Sequence, residues 1–200
     1  MSVEAEFYRA NVDPEVDRRM LHHAHLAVRV AQIESRDYPD MELDAVPAFR
    51  RLNYNQSLLF GTYPAGSAVV RKAHVGGSHA VVIAGAVAIT SLTRSHMPGQ
   101  IDLQPYQETL ATDPQVDLFP PEEAPAVVTK LWGLLIYGAP YRSTKLTICR
   151  MTFPTPEGNF APGAIDLLAA YPEVNAVFDD EERAAQLAMD FIELKKARRA

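Results

Sequence analysis

The sequence predicts an α+β fold: a mainly antiparallel sheet built from two hairpins, packed by N-terminal and C-terminal amphipathic helices. Three observations predict it. Apolar residues recur at helical spacing near both ends of the chain. Two β-rich runs flank Gly76-Gly77, a two-residue signal for a tight hairpin. A second pair of β-like runs, 131–137 and 145–153, flanks a turn-rich connection. No internal repeat and no clean linker divides the 200 residues, so one domain is expected over 1–200.

The first helix is expected over about residues 14–35. Asp13 caps it, Pro14 suits its first position, and Glu15 and Asp17 favour its positive end. Val16, Met20, Leu21, Ala24, Val28 and Ala31 then mark its inner face. A shorter helix is expected from Asp44, with Val46, Phe49 and Leu52 inward, broken by Asn53-Tyr54-Asn55. Ser57–Tyr63 reads as a strand closed by Pro64-Ala65-Gly66. In the Ser67–Ser91 hairpin, a two-residue turn sets His74 opposite His79. Side chains alternate sides, so Val81, Ile83, Val87 and Ile89 share one face and Ala80, Val82, Ala84, Ala86 and Ala88 the other. A buried helix capped by Ser78 competes with the strand over Ala80–Ile89; the β-branched residues of Val81–Thr90 favour the strand.

Residues 95–129 differ from the rest. They hold six prolines, the acids Asp102, Glu108, Asp113, Asp117, Glu122 and Glu123, and no Lys or Arg. The whole chain has 25 acids against 19 Lys and Arg, so removing these six leaves 19 against 19. The formal charge of −6 therefore equals the charge of this one proline-rich acidic connection. A short strand near 101–104 and a short helix near 122–130 are the regular structure expected there. Leu131–Tyr137 and Lys145–Phe153 follow as partner strands, then a short helix over Ala164–Tyr171. The last helix is expected over about 180–198, capped by Asp179, with Ala184, Leu187, Ala188, Phe191 and Leu194 as its stripe. The basic residues Lys195, Lys196, Arg198 and Arg199 suit the negative end of its dipole.

Composition excludes several classes. The longest apolar run, Ala80–Ile89, falls far short of the ~20 residues a membrane helix needs. An acidic chain has no general pull toward nucleic acid or anionic lipid, so neither is expected as a partner. The N-terminus lacks the basic and apolar regions of a secretory signal, and the single Cys149 forms no internal disulfide, so a cytoplasmic location is expected. The phosphate-loop, dinucleotide-loop, His-Glu-x-x-His, Cys-x-x-Cys and Gly-x-Ser-x-Gly signatures are absent.

With no catalytic signature, the expected function is an intracellular protein-interaction or regulatory module without catalytic activity, self-associating as a homo-oligomer and needing no cofactor. Its contact candidates are Tyr141 and Arg142 in the connection between the later strands, because Tyr and Arg are frequent interface anchors. The acids Asp113, Asp117, Glu122 and Glu123 offer a docking surface for a basic partner; a solvated loop is the plainer alternative. The alternative function is a small metal-assisted hydrolase. His74 and His79, with His96 as a third ligand, would bind a divalent transition metal such as zinc, and Asp102 or Glu108 would act as base. That pairing depends on register, since a one-residue slip separates the histidines. His22 and His25 share a helix face, but the plainer expectation is His25 beside the core with His22 and His23 solvated. Cys149 is expected to be an inert buried thiol, and Trp132 and Tyr137 core residues. A third option is a small apolar or aromatic ligand held between sheet and helix.

Overall fold

The computed structural model describes residues 2–38, 42–72, 79–113 and 130–198. Among them it has an α+β architecture: seven helices flank one six-stranded sheet that is antiparallel except at one junction. The helices are α1 (Val3–Asn11), α2 (Pro14–Glu34), α3 (Glu42–Phe60), α4 (Pro105–Thr112), α5 (Leu167–Ala170), α6 (Pro172–Asp179) and α7 (Glu181–Ala197). The strands are β1 (Val69–Lys72), β2 (Ala80–Ala84), β3 (Val87–Thr93), β4 (Leu131–Gly138), β5 (Ile148–Thr152) and β6 (Ile165–Asp166), ordered in space as in sequence.

The sheet is not two simple hairpins. Ala80–Ile89 is not one strand, because the chain turns at Gly85-Ala86 and Ala84 pairs with Val87. Gly85 has φ +54°, and Ala86 has negative φ, the pattern of a two-residue turn with glycine first. A Cβ at Gly85 would also stand 2.5 Å from the Asn11 carbonyl oxygen at the end of α1. The turn reverses the parity of the faces. Val87 and Ile89 join Ala80, Val82 and Ala84 in the core beneath α1, α2 and α3, and Ala88 joins Val81 and Ile83 on the opposite face. The second departure is at the centre, where β3 and β4 run parallel, Ala88 beside Trp132 and Thr93 beside Tyr137. Parallel neighbours need a crossover of a dozen or more residues. The acidic connection is that crossover. Its described part carries Ile101 and Leu110 onto the Val81, Trp132, Leu134 and Ile136 face. Residues 101–104 form no strand, and residues 114–129, with the expected helix start at 122, lie outside the described residues.

Helix α2 matches its expected span and cap, Asp13 accepting from the Glu15 amide at 2.8 Å. It is buried on more sides than an amphipathic stripe requires. Met20, Leu21, Ala24 and Val28 face the sheet, and Leu26 and Val30 face Phe178, Ala184, Ala188 and Phe191 of α6 and α7. Each such fully buried large side chain contributes about 1.5–3 kcal/mol.

The expected strand Ser57–Tyr63 does not form: residues 57–60 are the last turn of α3, which runs through Asn53-Tyr54-Asn55 without a break, and residues 61–63 follow it without regular structure. Asparagine opposes helix by competing for the local backbone. Here both side chains have partners elsewhere. Asn53 bonds Glu34 and Lys195, and Asn55 Oδ1 accepts the Ala80 amide at 3.1 Å. Leu52 and Leu194, expected inward, are 39% and 40% exposed. Asp180 rather than Asp179 caps α7, accepting from the Arg183 amide. Only Leu167–Ala170 of the expected 164–171 helix is helical, since Ile165–Asp166 pairs with β5 first.

Three helices meet in a buried polar knot. Lys195 Nζ donates to Glu34 Oε1 at 2.6 Å and to Asn53 Oδ1 at 2.5 Å, and Asn53 Nδ2 donates to Glu34 Oε2 at 2.8 Å. Helix α2 has no base in its own last turn. The ammonium of α7 supplies positive charge at that negative end. Lys195 thus holds helices together rather than complementing only its own dipole.

Candidate functional site

The carboxyl end of β3 opens into a cleft of about 560 Å³ between α3 and the start of the crossover. Strand β3 contributes Ser91 and Thr93, followed by Arg94. Helix α3 contributes Arg51, and His79 lies just ahead of β2. The crossover contributes Asp102, Gln104 and Gln107. Clefts of this volume, at the carboxyl end of parallel strands where the chain leaves the sheet, are the usual ligand positions of mixed folds.

Backbone geometry fixes each wall. The Arg94 amide donates to the Tyr137 carbonyl at 2.9 Å, which holds the residue after β3 beside the end of β4. That approach requires Gly138, where a Cβ would stand 1.7 Å from the Arg94 carbonyl oxygen. Gln107 Oε1 accepts the Gln104 amide at 2.9 Å, and Pro105 takes the first position of α4, so this wall is a closed helix cap. Arg50, beside Arg51, is buried. It donates to the carbonyls of Ala139 at 2.6 Å and Pro140 at 3.0 Å, and its own carbonyl accepts the Tyr137 hydroxyl at 3.0 Å. Arg51 is thereby anchored on a helix tied to the ends of β4.

Charge in the cleft is unbalanced. Arg51 and Arg94 are exposed and make no ion pair among the described residues. Among the described residues the Arg94 guanidinium donates to the neighbouring Thr93 carbonyl, at 3.1 Å. Asp102 is the one carboxylate lining the cleft among the described residues. Two guanidiniums, two hydroxyls and two amides can hold an anion, with the Asp102 carboxylate left to accept a hydrogen bond from it.

The sequence-expected candidates fare differently. His79 lines the cleft and is half-buried. His96 is exposed, 3.1 Å from Ser95 Oγ through Nδ1. His74 lies outside the described residues. The register sets Lys72 opposite Ala80, one residue away from the register that pairs His74 with His79. Among the described residues no group of three His, Cys, Asp or Glu side chains is placed to hold a metal ion. Tyr141 is half-buried and Arg142 exposed, with the guanidinium 6.0 Å from the Tyr141 ring centroid. Asp113 follows α4, and Asp117, Glu122 and Glu123 lie outside the described residues. Trp132 and Tyr137 are core residues, and Cys149 is fully buried, burial pushing its thiol pKa up.

His25 is buried beside the core as expected, whereas His22 and His23 are half-buried rather than solvated. His25 stacks on Phe178 with ring centroids 4.6 Å apart and bonds Asn175 at 2.9 Å. His22 meets the same ring edge-on at 5.0 Å. Burial lowers all three imidazoles, His23 to about 3 and His25 to about 4. Asp17, in the first turns of α2, is buried and accepts hydrogen bonds from the hydroxyls of Tyr8 and Tyr171. Burial raises it to about 6 against the pull of those two donors.

Arg51, Arg94, Gln104 and Gln107 were not legible as a site because they come from three separate stretches of chain. No spacing rule links them; the nearest signal is the polar run Thr93-Arg94-Ser95 after an apolar strand. No helix among the described residues is long and apolar enough to cross a membrane. No protein-family model matches the chain, and no curated protein and no solved structure matches it either.

Proposed function

We propose that the chain is a binding protein for a small organic anion, held in the cleft at the end of β3. The observation that carries this reading is the pair of guanidiniums, Arg51 and Arg94, that line one cleft without a carboxylate partner among the described residues. They hold the anion, Ser91 and Thr93 add hydroxyl bonds, and Asp102 selects for a ligand that also carries a donor. Such binding fits a regulatory module. The buried thiol of Cys149 needs no oxidising compartment, in keeping with a cytoplasmic location.

Thermal unfolding with citrate, glutamate and pyrophosphate tests the reading, each against sodium chloride of equal ionic strength. At least one anion is expected to raise Tm with concentration. The rise is expected to vanish in Arg51→Ala and Arg94→Ala, exposed substitutions that change intrinsic stability by no more than ~0.5 kcal/mol. A rise that survives both substitutions refutes the assignment.

Self-association stands as a second proposal, with a second copy of the chain as the partner. Leu52 and Leu59 are exposed two turns apart on α3. Exposed Leu194 adjoins Lys195, which reaches α3 through Asn53. Light scattering at high micromolar concentration is expected to show a dimer that Leu52→Glu dissociates; a strict monomer ends this proposal. The metal-assisted hydrolase draws no support here, because His74 lies outside the described residues and no group of three His, Cys, Asp or Glu among the described residues is placed to hold a metal ion.

A further inference from the structure

Among the described residues, three charged side chains line the cleft at the end of β3: Arg51, Arg94 and Asp102. All three are exposed. Opposite charges share one cleft of about 560 Å³, yet neither guanidinium lies within ion-pair distance of Asp102. Asp102 also makes no hydrogen bond among the described residues. The carboxylate and the guanidiniums are therefore all open to a ligand. Leu92 and Ile101 add apolar wall to the same cleft.

A ligand matches the cleft when each of these charges meets its opposite. Each guanidinium presents a fork of donors that suits one carboxylate. The Asp102 carboxylate only accepts, and an ammonium offers it both a donor and a charge. A simple dicarboxylate satisfies the two arginines but leaves Asp102 facing like charge. A hydroxyl on that ligand supplies the hydrogen bond without the charge. Two carboxylates and one ammonium on a short chain answer all three groups, with Leu92 and Ile101 beside the methylenes. Selection then comes from repulsion of the wrong anion as well as attraction of the right one.

Resting on the anion reading of this cleft, we propose that its ligand is an acidic α-amino acid, with Arg51 and Arg94 on the carboxylates and Asp102 on the ammonium group. Glutamate and glutarate are the probes, alike except for that ammonium. Each is titrated into the isotope-labelled full chain at pH 7 and equal ionic strength. Both are expected to give saturable amide shifts at Ser91–Arg94 and Gln104–Gln107. Glutamate is expected to bind roughly fivefold tighter or more, a factor in keeping with exposed charges. Arg94→Ala is expected to weaken both ligands alike. Asp102→Asn removes the charge of an exposed side chain at nearly constant shape. It is expected to weaken glutamate, strengthen glutarate and bring the two affinities together. Equal affinities in the parent chain, or a glutamate preference unchanged in Asp102→Asn, would overturn the proposal, while binding of both ligands that depends on Arg94 would leave the anion reading standing. Saturable shifts from neither ligand would overturn both together.

Discussion

Replacing Lys195 with alanine is expected to cost about 3 kcal/mol of folding stability, read as a lower urea midpoint at an unchanged m-value. The loss does not come from the ion pair alone. Lys195 is 4% exposed and Asn53 is fully buried, so truncation leaves the Glu34 carboxylate and the Asn53 carbonyl facing an empty space. Removing one member of a buried pair strands the other, which costs more than the pair contributes. The Glu34 side chain is 25% exposed, and water reaching it keeps the loss toward the lower end. Lys195→Met with Glu34→Gln removes both charges and is expected to recover much of the loss, a coupling that a double-mutant cycle measures. Additive losses would show that the knot is not a unit.

Acid is expected to destabilise the protein well before its exposed carboxylates titrate. His23 and His25 have folded-state values near 3 and 4 against 6.5 for the free side chain. The unfolded chain therefore binds protons that the folded chain refuses, and stability falls as pH drops below 6.5. Each pH unit in that window costs about 1.4 kcal/mol per histidine. Asp17 works the other way. Its value is raised from 3.8 to about 6, so the folded chain holds a proton there that the unfolded chain has released. Between pH 6 and pH 4 it stabilises the fold as pH falls. Two histidines against one carboxyl leave a net loss of about 2–3 kcal/mol between pH 7 and pH 5. Urea unfolding at the two pH values reads this directly. His25→Leu, which keeps an apolar contact with Phe178, is expected to flatten the dependence by about 2 kcal/mol. A dependence equal to that of the parent would mean that His25 is protonated in the folded chain.

The elements whose local chemistry agrees with their packing were legible. Helix α2 has its cap, its first-position proline and its stripe in sequence, and β4 is apolar at every position that the sheet covers. The failures lie where a distant partner changes what a residue does. Asn53 and Asn55 read as helix breakers until Lys195 and the Ala80 amide engage them. Ala80–Ile89 read as one strand, but Gly85, close against the end of α1, turns the chain there. Lys195 read as a base complementing the dipole of its own helix, and it is the centre of a buried knot. The acidic connection was recognised as distinctive, but its role was topological. It joins parallel strands, and the cleft lies where it leaves the sheet. That position depends on β3 and β4 being neighbours, a pairing that neither run states by itself.

The central claim is that the end of β3 is a ligand site governed by Arg51 and Arg94. Amide-resolved NMR during a citrate titration tests it most directly. The account predicts saturable shifts concentrated at His79, Ser91–Arg94 and Gln104–Gln107, abolished when Arg51 and Arg94 are both alanine. Shifts scattered over exposed bases such as Arg183 and Arg198, without saturation and unchanged in the double variant, would contradict it.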